Sequence, residues 1–494
     1  MVSKTRRVAW IESLVIWGPG GSNQYGLGPT ATGKPETHAP LAGARAGRND
    51  RAGQSHAERS DLAGDLSDLP ITWHLWPEVS ISRAQGTFRS FDRRRIARWV
   101  LWVALAVHVP IAVVAGVRSR IVRPGSDFDN YYDIGLKPGR PYLDFAVEFP
   151  LGTVEAFRAI APLAGTRQRF GVSLVVLNVM ADVAIVSALC WGWGIEAAAC
   201  YAIAAAPLLD LFLLRLDLWS TAFATLAVAA WRRQRPALAA IGFAAGAAFK
   251  LWPLTFLPLL IVPFRARKIA TPLATAAAAG IVILGLWLWV AGPLGVYQVL
   301  TFRGARGWEV ESTVGGLWML FDRSSMRVES GAWRIGSTIG PISIALFAAG
   351  TLTSSWMVWR GARTGHLGAG WAGGIGALLA LSALLSPQFA VWMAPAAGIA
   401  WAEGDWGVAL MTALIVFLTN LEFKSFPPLL RGEPGALFLV LLRNLVLVLF
   451  ALYTARRLAR APLTPVRVRQ SADDLTAADQ SADEGAGGGE DFLR

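Results

Sequence analysis

Five carboxylates fall within 22 residues of one polar stretch: Asp127, Asp129, Asp133, Asp144 and Glu148. Phe128, Tyr131, Tyr132, Tyr142 and Phe145 are interleaved with them. Carboxylates take protons from hydroxyls or bind sugar hydroxyls and cations. Aromatic rings offer apolar faces to the C–H groups of a pyranose. The mixture suits a sugar site. The competing reading is a solvated loop with capping aspartates, which suits Asp133 best. None of the five histidines lies in this stretch.

The elements that must position these residues are apolar. Of 494 residues, 54% are hydrophobic and 16% charged, against about 25% charged in a soluble domain. Mean hydropathy is +0.43. This excludes an ordinary soluble enzyme and a disordered chain, and predicts an all-α polytopic membrane protein. The two cysteines exclude a disulfide scaffold and a Cys-based zinc site. Cys190 and Cys200 sit in apolar runs and read as packing residues. His108, in the first apolar run, reads as a bonded core histidine. Residues 1–95 are polar and Gly/Ala/Arg-rich, and predict a disordered or mis-started extension. Residues 461–494 predict a disordered, acidic cytoplasmic tail.

The membrane body runs over 96–460. A spanning helix needs roughly 20 apolar residues. Candidate spans are 98–117, 172–193, 196–213, 216–231, 236–249, 252–264, 269–291, 338–360, 367–385, 388–402, 405–421 and 434–455, about twelve in all. Arginine and lysine clusters at 93–98, 232–235, 265–268 and 456–460 mark cytoplasmic ends. Both termini are then cytoplasmic, and the unusual polar clusters share the outer face: 127–148, 215–217, Lys250, 303–312, 386–388 and 424–433. Function is expected at the external boundary of the cell (plasma) membrane.

Short motifs carry a resemblance over about 96–460. Asp-Phe-x-x-Tyr (127–131), Gly-x-Pro-Tyr-x-Asp (139–144) and Glu-Phe-Pro (148–150) come first. Arg-Leu-Asp (215–217), Phe-Lys-Leu-Trp-Pro (249–253), Arg-Gly-Trp-Glu-Val-Glu-Ser (306–312) and Ser-Pro-Gln-Phe (386–389) follow in order. Together they resemble the GT-C superfamily of glycosyltransferases, and within it the bacterial polyprenyl-phosphate-mannose-dependent α-mannosyltransferases of glycosyltransferase family 87. That family often has Glu-Tyr-Pro-Pro where this chain has Glu148-Phe-Pro-Leu151.

The resemblance implies a GT-C-type bundle with a long first external loop. It implies inverting transfer of a hexosyl, here mannosyl, group from a polyprenyl-phosphate sugar to a lipid or glycan acceptor. Asp127, at the family's motif aspartate, would be the general base, with Asp129 and then Glu148 as alternates. Tyr131, Tyr142 and Asp144 would contact substrate. Lys250, Arg215 and Arg306 would hold the donor phosphate, since arginine grips phosphate bidentately and a lysine near the bilayer needs a partner. Snorkelling is the other reading of Lys250, and a local pair with Asp217 that of Arg215. Glu309 and Glu311 with Trp308 would bind acceptor hydroxyls, and Gln388 would line a polar cavity. Arg443 and Asn444 receive no role beyond pairing in the bundle. No cofactor is assigned, although the loop carboxylates could hold a divalent metal. No glycine-rich phosphate loop or HExxH is present. Nucleic acid is not a partner. The rival function is a non-enzymatic carrier or flippase for lipid-linked glycans, which would place charges along a path through the bundle and use inverted repeats.

Overall fold

A computed structural model of the chain describes residues 93–120, 127–262, 266–301, 305–337 and 340–463. The N-terminal extension lies outside them up to Asp92, and the C-terminal tail from Thr464 onward.

The described chain is helical and polytopic. Helix α1 is Arg93–Arg120. The loop region after it holds α2 (Asp127–Leu136) and α3 (Leu151–Ala164). Helix α4 is Arg167–Trp193, capped by the Thr166 hydroxyl on the Arg169 N–H. A run of α5 (Ile195–Ala205), a 3-10 turn and α6 (Leu209–Leu213) follows. Helix α7 is Asp217–Arg232 and α8 is Pro236–Phe249. Trp252–Ile261 is 3-10 helix, because Pro253 and Pro258 remove amide donors and bar a regular α-helix. Helix α9, Ala266–Leu300, breaks at Gly292 (φ 60°) ahead of Pro293. The span expected over 269–291 stops at that break.

Three short strands, β1 (Trp308–Glu309), β2 (Arg327–Glu329) and β3 (Ala332–Ile335), form an antiparallel sheet ordered β1-β3-β2. The sequence reading had no strand here. Ser330 and Gly331 both have positive φ (53° and 79°), which makes a two-residue hairpin turn of the type matched to strand twist. Helix α10 (Thr313–Trp318) follows β1 and ends in an exposed apolar patch of Leu317, Trp318, Leu320 and Phe321. Then come α11 (Gly340–Thr364), α12 (Leu367–Ala380), a 3-10 helix at Pro387–Trp392, α13 (Ala394–Ala402), α14 (Trp406–Lys424), α15 (Phe426–Leu430) and α16 (Pro434–Arg460).

Every expected span overlaps a helical segment, but length supports a smaller count than about twelve. Among the described residues, seven helices are long and apolar enough to cross: those over 95–120, 167–193, 195–213, 269–300, 340–364, 406–424 and 434–460. Helices α8 and α12 have 14 residues each, or about 21 Å at 1.5 Å per residue, against about 30 Å of hydrocarbon. The ten residues of Trp252–Ile261 reach about 20 Å as 3-10 helix.

Helix α12 sits inside the bundle, with all 14 of its residues buried, whereas α8 leaves Leu238 and Ile241 exposed. Glycines bring the neighbours into backbone contact. A Cβ on Gly370 would lie 2.5 Å from the Met357 carbonyl oxygen, one on Gly368 2.3 Å from the Ala400 nitrogen, and one on Gly398 2.2 Å from the Ala197 oxygen. Such small-residue seams drive helix association in lipid. Between α1, α4 and α5, His108 Nδ1 meets Asp182 Oδ2 at 3.0 Å and Nε2 meets the Ala202 carbonyl at 2.9 Å. The Tyr201 hydroxyl donates to Asp182 Oδ1 at 2.7 Å. A carbonyl only accepts, so Nε2 carries a hydrogen and the Nδ1–carboxyl contact shares one further proton.

Beyond this mid-bundle network, further polar contacts lie at the two ends. At one, Arg232 and Arg233 donate to the Gly192 and Trp191 carbonyls. Trp231 reaches the Val262 carbonyl, and Arg360 reaches those of Leu458 and Ala461. There Asp405 accepts from His366 Nδ1 at 2.8 Å and from Arg457. The bond to Asp405 raises the His366 pKa, while burial opposes it. A raised folded-state value means the stabilisation is complete below the unfolded pKa of about 6.5 and is lost as pH rises through the folded value. His366→Gln should therefore lower the thermal midpoint at pH 6 and change it less at pH 8.5, as thermal-shift curves at the two pH values would show.

Candidate functional site

The opposite end gathers the carboxylates. Helix α2 begins at Asp127, which puts Asp127 and Asp129 in its first turn. Gly135 lets α2 settle on α3, since a Cβ there would lie 2.6 Å from the Phe157 carbonyl oxygen. Tyr131 stacks on Phe157 at 4.8 Å and meets the Phe149 ring edge-on at 5.5 Å. Its phenol is pushed up by burial and by the charges of Asp217 and Glu148. Tyr142, at φ 70°, is buried and donates its hydroxyl to the Phe149 carbonyl at 2.6 Å. Gln298 Nε2 donates to the Tyr142 carbonyl, and Gln298 Oε1 accepts the Val147 N–H. Both tyrosines, expected to touch substrate, thus form the packed underside of the loop.

The loop's acids part ways. Asp129 is buried and paired with Arg167, which also bonds Asp133 at 2.7 Å. Asp144 is exposed and accepts the Arg140 amide at 2.6 Å. Glu148 is half-buried beside Phe149. Asp127 turns inward and pairs with Arg215.

From there the site runs across four further elements. Arg215 precedes α7, and Asp217 opens it. The local Arg215–Asp217 pair weighed above gives way to a cross-pairing. Arg215 takes Asp127, while Asp217 lies 3.7 Å from Lys250 Nζ and accepts the Trp392 indole N–H at 3.1 Å. Lys250 follows the last residue of α8, where the backbone turns extended (φ −152°) before the prolines. Its ammonium sits 5.5 Å from the Phe149 ring centroid and 5.4 Å from that of Phe389, within cation–π range. Trp392 stacks on Phe389 at 4.4 Å and on Trp252 at 5.5 Å. Gln388, half-buried, accepts the Ser386 hydroxyl at 2.5 Å. Lys250 therefore joins the first loop, α7 and the 387–392 turn. Arg306 stands apart: it is exposed, and its backbone N–H bonds Glu329 at 2.6 Å.

A second tier lies beneath. Glu309 Oε2 accepts the Leu385 N–H at 2.7 Å. Arg443 is buried in α16 and bonds both Glu422 Oε1, at 2.6 Å, and the main-chain oxygen of Glu311, at 2.9 Å. Asn444 donates to the Glu311 and Ser312 carbonyls at 3.3 Å. Burial raises Glu309, opposed chiefly by Arg334. Burial, then the carboxylates of Glu422 and Glu309, push Glu311 well above the usual range, against Arg443 and Arg215. Burial brings Arg215 down to about 10, still cationic at neutral pH. Its buried Nε has no hydrogen-bond partner among the described residues.

The arrangement can neutralise an anion beside an ionised acid: Arg215 and Lys250 supply N–H donors, and Asp127 lies against one of them. Sequence reasoning gave no site role to Asp217, Trp392, Glu422 or Arg443. Glu422 and Arg443 did carry a signal, each being a charge within an apolar run. Among the described residues, no group of three or more His, Cys, Asp or Glu side chains is placed to hold a metal ion. No protein-family model matches the chain, and no curated protein matches it.

Proposed function

We propose that the chain is an integral membrane glycosyltransferase, of the GT-C kind its motifs resemble. It moves a hexosyl group, mannosyl by that resemblance, from a polyprenyl-phosphate sugar to a lipid or glycan acceptor. The observation that carries this is the meeting of Asp127, Arg215, Asp217 and Lys250, from three separate stretches of sequence, at one end of an apolar helical bundle. A lipid-linked phosphate needs cations at the membrane edge, and an acceptor hydroxyl needs a carboxylate next to them.

In this reading the five shorter segments complete about twelve passages. The arginine-rich end at 232–235 and 456–460 faces the cytoplasm with both termini, by the positive-inside rule, and the site faces outward from the plasma membrane. The donor arrives sideways through lipid. Lys250 and Arg215 hold its phosphate, Asp127 takes the acceptor proton as the hydroxyl attacks the anomeric carbon from the face opposite the phosphate, and the configuration inverts. Glu148 and Asp129 are the alternative bases, Gln388 and Glu309 further contacts.

The test is purified protein in nanodiscs with tritiated polyprenyl-phosphate mannose and a membrane lipid extract. Label should appear in a glycosidic product, and Lys250→Gln should lower kcat/KM by about 10²–10³, the loss typical of removing one charge-stabilising donor. Vesicles in which the protein moves the labelled lipid across the bilayer and forms no glycosidic bond would favour a carrier instead.

A further inference from the structure

Helices α1 and α4 close on each other at one point. A Cβ on Gly171 would lie 2.5 Å from the Ser119 carbonyl oxygen, so the two backbones touch there. An arginine flanks that contact on each helix: Arg120 ends α1, and Arg169 lies in the first turn of α4. Both side chains are exposed. The arginines beside them are paired, Arg118 with Asp210 at 2.9 Å and Arg167 with Asp129 and Asp133. No carboxylate among the described residues pairs with Arg120 or Arg169.

An open cavity of about 430 Å³ lies between the two, within the range of small-molecule sites, about 300–1,000 Å³. Gln168 and Ser173 line it together with the arginines, and Leu163 and Val172 give it an apolar wall. Leu163 is 88% exposed, an unusual place for a leucine unless it faces lipid. The Arg169 N–H is already taken by the Thr166 hydroxyl, so recognition here falls to side chains.

From the cavity an apolar stripe runs down α4. Val172, Val176, Met180 and Val183 recur every three or four residues and share one face. On α1, Val113 and Val117 lead up to Arg120 in the same way. Beyond Val172, each of these side chains is more than half exposed. Val172 and Val183 are about 17 Å apart along the helix, close to the hydrocarbon depth of one leaflet, about 15 Å. Two unpaired guanidinium groups at the head of such a stripe match a phosphate on an acyl chain. A zwitterionic headgroup would add a cation beside both arginines, which disfavours it.

We propose that this corner is a binding site for one anionic phospholipid of the bilayer. Its phosphate lies between Arg120 and Arg169, its headgroup hydroxyls meet Gln168 and Ser173, and one acyl chain follows the α4 stripe. The site uses none of the residues of the Asp127–Lys250 cluster and does not depend on the glycosyl-transfer reading.

Native mass spectrometry of the purified protein tests this, by titration with dioleoyl phosphatidylglycerol, dioleoyl phosphatidylcholine and undecaprenyl phosphate. Phosphatidylglycerol should fill one saturable site more tightly than phosphatidylcholine. Arg120→Gln and Arg169→Gln should each weaken it about fivefold, and the double variant about 25-fold. Both side chains are exposed, so the thermal midpoint without lipid should match wild type. Ser173→Trp, which fills the cavity and keeps both arginines, should block the site as well. Arg431→Gln, which removes an exposed arginine elsewhere, should leave binding unchanged. Equal binding of phosphatidylglycerol and phosphatidylcholine, or phosphatidylglycerol binding that survives in the double variant, overturns the site. Undecaprenyl phosphate as the one lipid whose binding the double variant loses overturns the occupant and gives the cavity to the prenyl lipid.

Discussion

Asp127→Asn should reduce kcat for sugar transfer by about 10²–10⁴-fold, the span typical of losing a positioned general base. The amide is nearly isosteric but takes no proton. The same change releases Arg215 from its ion pair, so donor binding should hold or tighten while turnover collapses. That divergence separates a base from a residue that merely braces the loop. The neighbouring acids supply the controls. Asp133→Asn weakens only an exposed contact with Arg167 and should leave kcat near wild type. If Asp129→Asn or Glu148→Gln produces the larger fall, the base is reassigned accordingly. Steady-state kinetics in nanodiscs, with KM measured separately for donor and acceptor, decides among the three.

Arg443→Met should destabilise the fold by about 3–5 kcal/mol, the usual cost of removing one partner of a buried ion pair. Both side chains are almost fully enclosed, at 2% and 1% exposure, so the stranded Glu422 carboxylate meets no compensating water. The substitution also frees the Glu311 carbonyl, and with it the descent of the 309–312 segment into the bundle. Glu422→Gln should offset much of the loss in the double variant, because the uncompensated charge then disappears. Equilibrium unfolding of the four proteins of this cycle gives the coupling directly. Additive effects would show that Arg443 acts through its contact with the Glu311 backbone alone.

Apolar length and arginine clusters made the helices legible from sequence, down to the stop near 291 where Gly292 breaks α9. Such patterns are local, and so are the proline signals behind the 3-10 turn at Trp252–Ile261. Among the described residues, length alone supports seven crossings, and a segment buried on all sides, such as α12, is apolar but shorter than the bilayer. The small sheet at 308–335 escaped notice because its strands are two to four residues long. In the site, Lys250 and Asp127 were visible as charges out of place. Their partners were not, since Arg215 bridges to a residue 88 positions earlier and Asp217 to one 33 positions later. Tyr131 and Tyr142 suit sugar stacking by composition, and that their rings are buried beneath the loop is something only three-dimensional packing gives.

The glycine contacts along α5, α13, α12 and α11 have a mechanical corollary. At Gly368, Gly370 and Gly398 main chain abuts main chain, leaving no side-chain rotamer to absorb a shift at those three contacts. Helix α9 is the opposite case: nearly all of its apolar surface is outward, and Gln298 hooks its far end to the first loop. Any opening of the bundle is therefore expected at this flank, and hydrogen exchange should be fastest along α9 and slowest along α12.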